Sequence, residues 1–179
     1  MKTLLLSNIN MQPLVALLKP AEVVCGAYNS ILMDLVDPES PAASDEFDRV
    51  FCLFDTDSLL GDVAFGEEGP DQCETLIAAL GQFCNRHPGK IVLAHTFCAS
   101  TSRWLSFADL AHPQSLRSRE AALNERLIAL ARETANLLLI DLEAIVRRHG
   151  EAALMSSTFW YAGRIRYTKQ MFRILATTI

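Results

Sequence analysis

Polar residues gather where the apolar runs of this chain stop, and their types suit covalent and anion chemistry. Ser7 and Asn8 follow Leu4-Leu5-Leu6, and Gly26, Tyr28 and Asn29 follow Val23-Val24-Cys25. Asp55 and Asp57 follow the run that ends in Leu53-Phe54, His95 and Thr96 follow Ile91 to Ala94, and Asp141 follows Leu137 to Ile140. Ser7 in such a position is a candidate nucleophile, with the Gly26 N–H and the side chain of Asn8 or Asn29 as oxyanion or substrate donors. His95 is a candidate general base, because imidazole titrates near neutrality. Asp55 and Asp57 are two carboxylates at one strand end, a pairing that can bind Mg²⁺. Arg164 and Arg166 suit bidentate capture of a phosphate or carboxylate. Each also has a purely structural reading: Ser7 and Asp141 as helix caps, His95 as a hydrogen-bonded loop residue, the arginines as a surface pair before a helix, Trp160 and Tyr161 as packing.

What would bring these residues together is a parallel sheet. The runs at residues 2–8, 23–25, 49–54, 91–94 and 137–140 are apolar without alternation, as expected of strands covered on both faces. Between them, helical spacing predicts helices over 11–18, 28–36, 71–86, 115–135 and 142–148, with a last helix from 168. Residues 39–48, 61–70 and 97–114 read as connections, and 155–166 as irregular. In the long helix Leu116, Leu123, Leu127, Leu130 and Ala131 form the inward side, and the charged residues, Glu120 among them, are assigned largely to solvent. Strand and helix alternate, which predicts an α/β chain: a three-layer α/β/α sandwich with a mostly parallel sheet of about five strands. Ligands in such sheets sit at the carboxyl ends of the strands, where the polar residues fall.

The bulk numbers narrow the function classes. A length of 179 residues fits one domain, residues 1–179, with a full-sized core, and 50% apolar with 21% charged residues is a soluble composition. A net charge of −5 and a pI near 5.3 lack the basic face that nucleic-acid binding needs. The five cysteines are scattered, odd in number and without zinc-like pairing, which suits a reducing cytoplasm. The opening Met-Lys-Thr-Leu-Leu-Leu is broken by Asn8 and Asn10 too soon to export or span. Gly26 stands alone, with no Gly-rich phosphate loop around it. No cofactor and no metal site is expected.

The order Ser7, Gly26, Asp57 resembles the SGNH hydrolases, in which a serine after the first strand, a glycine after the second and an asparagine after the third supply nucleophile and oxyanion donors. Their last block is Asp-x-x-His, whereas this chain has Gly163-Arg164-Ile165-Arg166-Tyr167-Thr168. A guanidinium cannot accept the serine proton near neutral pH. A closer resemblance covers nearly the whole chain. Ser7-Asn8, Gly26-Ala27-Tyr28, Leu35-Val36-Asp37-Pro38-Glu39-Ser40-Pro41, Leu53-Phe54-Asp55-Thr56-Asp57, Ser115-Leu116-Arg117, Leu123-Asn124, Asp141-Leu142-Glu143, and Phe159-Trp160-Tyr161 before Arg164 and Thr168 resemble the amino-terminal SGNH-like domain of FkbH-like proteins. In that family the domain precedes a haloacid-dehalogenase-type domain that loads a glyceryl group onto an acyl carrier protein. The resemblance implies an accessory domain for polyketide, lipid or glycan assembly, handling an acyl or glyceryl group or serving as a silent docking module. Asp55-Thr56-Asp57 also resembles the Asp-x-Asp of haloacid-dehalogenase phosphatases, although Leu59 and the third-strand position depart from that pattern.

Overall fold

The computed structural model describes residues 1–18, 22–60, 72–101, 112 and 115–179. Among them β1 (Thr3–Ser7), β2 (Val23–Tyr28), β3 (Arg49–Cys52), β4 (Ile91–His95) and β5 (Leu137–Ile140) form a parallel sheet in the order β2-β1-β3-β4-β5. The helices are α1 (Gln12–Val15), α2 (Ile31–Val36), α3 (Thr56–Leu60), α4 (Gln72–Arg86), α5 (Leu116–Glu133), α6 (Leu142–His149), α7 (Glu151–Leu154), α8 (Ser157–Gly163) and α9 (Lys169–Thr178). The predicted connection at 61–70, most of that at 97–114 and the start of the predicted helix at residue 71 lie outside the described residues.

Strand periodicity divides the core in two. Leu4, Leu6, Val50, Cys52, Val92 and Ala94 point to one face, against α2, α4 and α5. Leu5, Phe51, Leu53, Leu93 and Ile140 point to the other, against α1, α6, α7 and α9. All five residues of β1 are buried, as its unalternating sequence requires. The fold class is therefore the expected α/β/α sandwich.

Several boundaries differ from the sequence reading. β2 runs to Tyr28 instead of stopping at Gly26, and β1 meets it across a register shift between Leu5 and Ser7. Asp57 stands in the first turn of α3, not on an extended strand end. The region expected to be irregular contains α8, which buries none of its residues and so leaves no periodic stripe to read. Instead it is held at its ends. Ser156 accepts from Phe159 N–H, and Arg164 closes the helix in the left-handed region at φ 54°, where its N–H reaches Trp160 O at 2.9 Å. The surface connection at 39–48 places Ala42 and Phe47 in the core. Buried Lys90 fixes it by donating to the carbonyls of Ser44 and Phe47.

Candidate functional site

In this strand order the chain runs outward from β1 to β2 and then crosses back to β3 on the other side of β1, so the crevice between the carboxyl ends of β1 and β3 is the expected ligand position. That crevice is closed by side chains. Asn8 Oδ1 accepts from Asp55 N–H at 2.7 Å, and its Nδ2 donates to Asp55 O at 3.2 Å, a two-way clasp joining the ends of the strands. Asn8 is 4% exposed, and both ends of its amide are used, so it is not a free oxyanion donor.

Asp55 and Asp57 also turn inward. Asp55 Oδ2 accepts from Ser58 N–H at 3.0 Å and Ser58 Oγ at 2.7 Å, which makes Asp55 the cap of α3. Asp57 Oδ1 accepts from Ser100 N–H at 3.1 Å. Arg166 lies across both, with Nη2 on Asp57 Oδ2 and Nε 3.4 Å from Asp55 Oδ1. Burial pushes the Asp55 carboxyl above the usual range, against the opposing pull of the Ser58 bonds and the Arg166 charge. A Mg²⁺ ion between these aspartates would have to displace Arg166. Tyr167 OH donates to Phe54 O at 3.2 Å, tying the same segment to the start of α9.

His95 is enclosed beside this cluster, 1% exposed, its ring 4.0 Å from that of Phe54. Its Nε2 accepts from Phe54 N–H at 2.9 Å, so the proton is on Nδ1, which donates to Thr96 O at 2.8 Å. Burial lowers its pKa to about 4, although the bond from Nδ1 to Thr96 O pulls the other way. With both nitrogens committed to backbone, His95 has none left to take a proton from Ser7.

Ser7, Gly26, Tyr28 and Arg164 do come together. They line a cavity of about 370 Å³ with Asn10, Gln12 and Gly163, between β1, β2 and the segment after α8. Asn10 N–H donates to Arg164 O at 2.9 Å, which brings the last block of the chain to the serine, as the hydrolase order requires. Ser7 is 7% exposed, and its Oγ accepts from Ile9 N–H at 3.1 Å. No carboxylate or imidazole among the described residues bonds to it. The Arg164 guanidinium lies 4.9 Å over the Trp160 ring, at the rim of this cavity. A Cβ on Gly26 would stand 2.7 Å from Leu6 Cδ2, so any larger residue here would have to push the buried Leu6 side chain aside. Tyr28 and Asn29 are exposed at the end of β2, Asn29 at φ 60°, with its N–H on Ser7 O at 2.9 Å. Asp141 caps α6 through Ala144 N–H, as read from the sequence.

Sequence reasoning missed a further group of residues. Glu151 of α7 receives Ser100 Oγ at 2.6 Å, Thr101 N–H at 3.0 Å and Thr101 Oγ1 at 2.5 Å. Glu120, assigned largely to solvent, is 7% exposed, and its Oε2 accepts from Ala99 N–H at 2.7 Å. The signal was present: residues 116, 120, 123, 124 and 127 share one helical face, and Glu120 stands inside that stripe.

No protein-family model and no curated protein matches the chain. Solved structures do. The amino-terminal part of a Bacteroides fragilis protein, containing a phosphatase domain and complexed with Mg, superposes with a TM-score of 0.80 at 17% identity; the match covers 99% of this chain and 50% of that one. A lipase/acylhydrolase from Enterococcus faecalis gives 0.62 at 14% identity, covering 99% and 92%. A catalytic mutant of an acetylxylan esterase from Geobacillus stearothermophilus gives 0.57 at 15% identity, covering 98% and 90%. The chain thus spans about half the length of the Bacteroides structure and most of the two hydrolases. No helix among the described residues is long and apolar enough to cross a membrane. From the sheet order and these likenesses together, the chain has the α/β/α fold of the SGNH hydrolases.

Proposed function

We propose that residues 1–179 form a single SGNH-like accessory domain of the FkbH type, which holds an acyl or glyceryl group in the Ser7 cavity without hydrolysing it. It acts with an acyl carrier protein, or with a haloacid-dehalogenase-type glyceryl-transfer domain, in polyketide, lipid or glycan assembly in the cytoplasm. The observation that carries this reading is the combination of a serine cavity in the hydrolase position with no carboxylate or imidazole among the described residues bonded to the serine. Where the hydrolases place an acid and an imidazole, this chain places Arg164 at the cavity rim and commits Arg166 to two aspartates. A fixed cation beside Ser7 anchors an anionic group but does not activate a hydroxyl. The block-by-block resemblance of the sequence supports the FkbH assignment. So does the higher TM-score to a protein that contains a phosphatase domain than to the lipase or the esterase. Ser7, Gly26, Tyr28, Asn29 and Arg164 are the proposed binding residues.

Two measurements test it. Short p-nitrophenyl esters should be turned over no faster by the protein than by its Ser7→Ala variant, and a fluorophosphonate should leave Ser7 unlabelled. Acyl- or glyceryl-loaded carrier protein should be retained on the immobilised chain, and Arg164→Ala should weaken retention about tenfold, the loss of one charge-assisted contact. Ser7-dependent ester turnover would restore the esterase reading, and failure to retain any loaded carrier would remove the accessory one.

A further inference from the structure

Charge is segregated along this chain. All 21 acidic residues lie between Glu22 and Glu151, whereas six of the 16 Lys and Arg lie outside that stretch, in a protein of net charge −5. Lys2 is paired with Glu46 and Arg166 with the two aspartates, and Lys19 lies outside the described residues. That leaves Arg164, Lys169 and Arg173, all exposed and none in an ion pair with a described residue.

These three accompany an apolar groove. A cavity of about 430 Å³ opens between α1, α8 and α9, lined by Pro13 and Leu17, by Phe159, by Ile165, and by Lys169 and Phe172. Arg173 follows Lys169 by one helical turn, on the same side of α9. The groove adjoins the serine cavity: Gln12 and Arg164 line the one, and their chain neighbours Pro13 and Ile165 line the other. Large apolar side chains meet water here, with Leu17 44%, Phe159 50% and Tyr161 85% exposed. Apolar surface rimmed by charge marks an interaction site.

Shape and sign define the occupant. A concave apolar floor beside cations complements a helix that carries an apolar side chain among carboxylates. An anionic membrane fits less well, because it calls for a cluster of roughly four to eight cations. The described residues here offer only Arg164, Lys169 and Arg173.

We infer that the groove between α1, α8 and α9 docks an acidic helix of a partner protein, seating one apolar side chain of that helix while its carboxylates pair with Arg164, Lys169 and Arg173. This is the docking face for the carrier protein proposed above, and it rests on that reading. A carrier seated there has its loaded group beside the mouth of the Ser7 cavity.

The test is binding of unloaded acyl carrier protein to the immobilised chain, so that contacts of an acyl or glyceryl group with Ser7 and Arg164 do not enter. The parent chain should retain it, less well as salt is raised. Lys169→Glu combined with Arg173→Glu should weaken binding about tenfold. Phe159→Asp should do the same, and the melting temperature should hold in both because these side chains are exposed. Met33→Asp, at an exposed apolar residue of α2 on the other face of the sheet, should change nothing. If the groove variants bind the carrier as the parent does, or only loaded carrier is retained, the docking face is overturned while the carrier reading stands. If no carrier is retained, loaded or unloaded, both fall. The inference is also overturned if phosphatidylserine vesicles, or a second copy of this chain, bind more tightly than the carrier and lose that binding in the same variants.

Discussion

The two ends of the sheet's carboxyl edge use similar residues in opposite ways. Around β3 and β4 the polar groups satisfy one another: Asn8 clasps Asp55, Asp55 caps α3, Arg166 bridges two aspartates and His95 is bonded at both nitrogens. Around β1 and β2, Ser7 and Arg164 face a cavity, and the guanidinium is stacked on an exposed helix instead of a carboxylate. Asp55, Asp57 and His95, three of the groups with the strongest chemical look in the sequence, thus perform structural work, whereas Ser7 and Arg164 line open space. Desolvation accounts for the contrast. A polar group inside the sheet edge must find a protein partner, while one beside water need not.

Mutation can break or sharpen this contrast. The largest effect is expected from Arg166→Ala, which strands Asp55 and Asp57 without their cation and should cost about 3–5 kcal/mol in urea denaturation. Arg166→Lys should recover only part, since a point charge cannot reach both carboxylates as the planar guanidinium does. Next comes acid. His95 has its folded pKa lowered from 6.5 to about 4, so the unfolded chain takes up the proton first. The stability His95 contributes is complete above pH 6.5 and is lost as the pH falls toward 4, up to ~3 kcal/mol in all. In His95→Gln this part of the acid limb should disappear from the pH–stability curve. Gly26→Ala should cost about 1–2 kcal/mol, because buried Leu6 must give way to the new methyl. Ser7→Ala should be the mildest, about 1 kcal/mol for the Ile9 N–H left without its acceptor, and should not change ester turnover. If Ser7→Ala proved as damaging as Arg166→Ala, the serine would belong with the structural groups and the contrast would fail.

Much of the architecture was legible in the sequence, because unalternating runs such as Leu4-Leu5-Leu6 have no other economical home than a covered parallel strand. Asp141 as a cap was legible for a local reason, since it reaches only three residues ahead. The site was harder to read. His95 and Asp57 stand at the expected strand ends, but whether such a group faces a ligand or a neighbour depends on partners tens of residues away, as with His95 and Phe54 or Asp57 and Arg166. α8 was invisible because no side chain of it is buried. Glu120 was misassigned because its charge outweighed its position in the apolar stripe, and a buried acid is the kind of exception that such patterns obscure.

The clasp between Asn8 and Asp55 also sets how the serine cavity can move. One wall, β1, is tied to β3 at its tip, while the opposite wall, β2, is an edge strand with partly exposed residues and a register shift. Of the two strand walls, the outer one is therefore the freer to swing aside for a guest larger than the resting volume, as a gate turns on its one fixed post. Amide protons of β2 should accordingly exchange with solvent well before those of β1, and a tight ligand should slow them selectively.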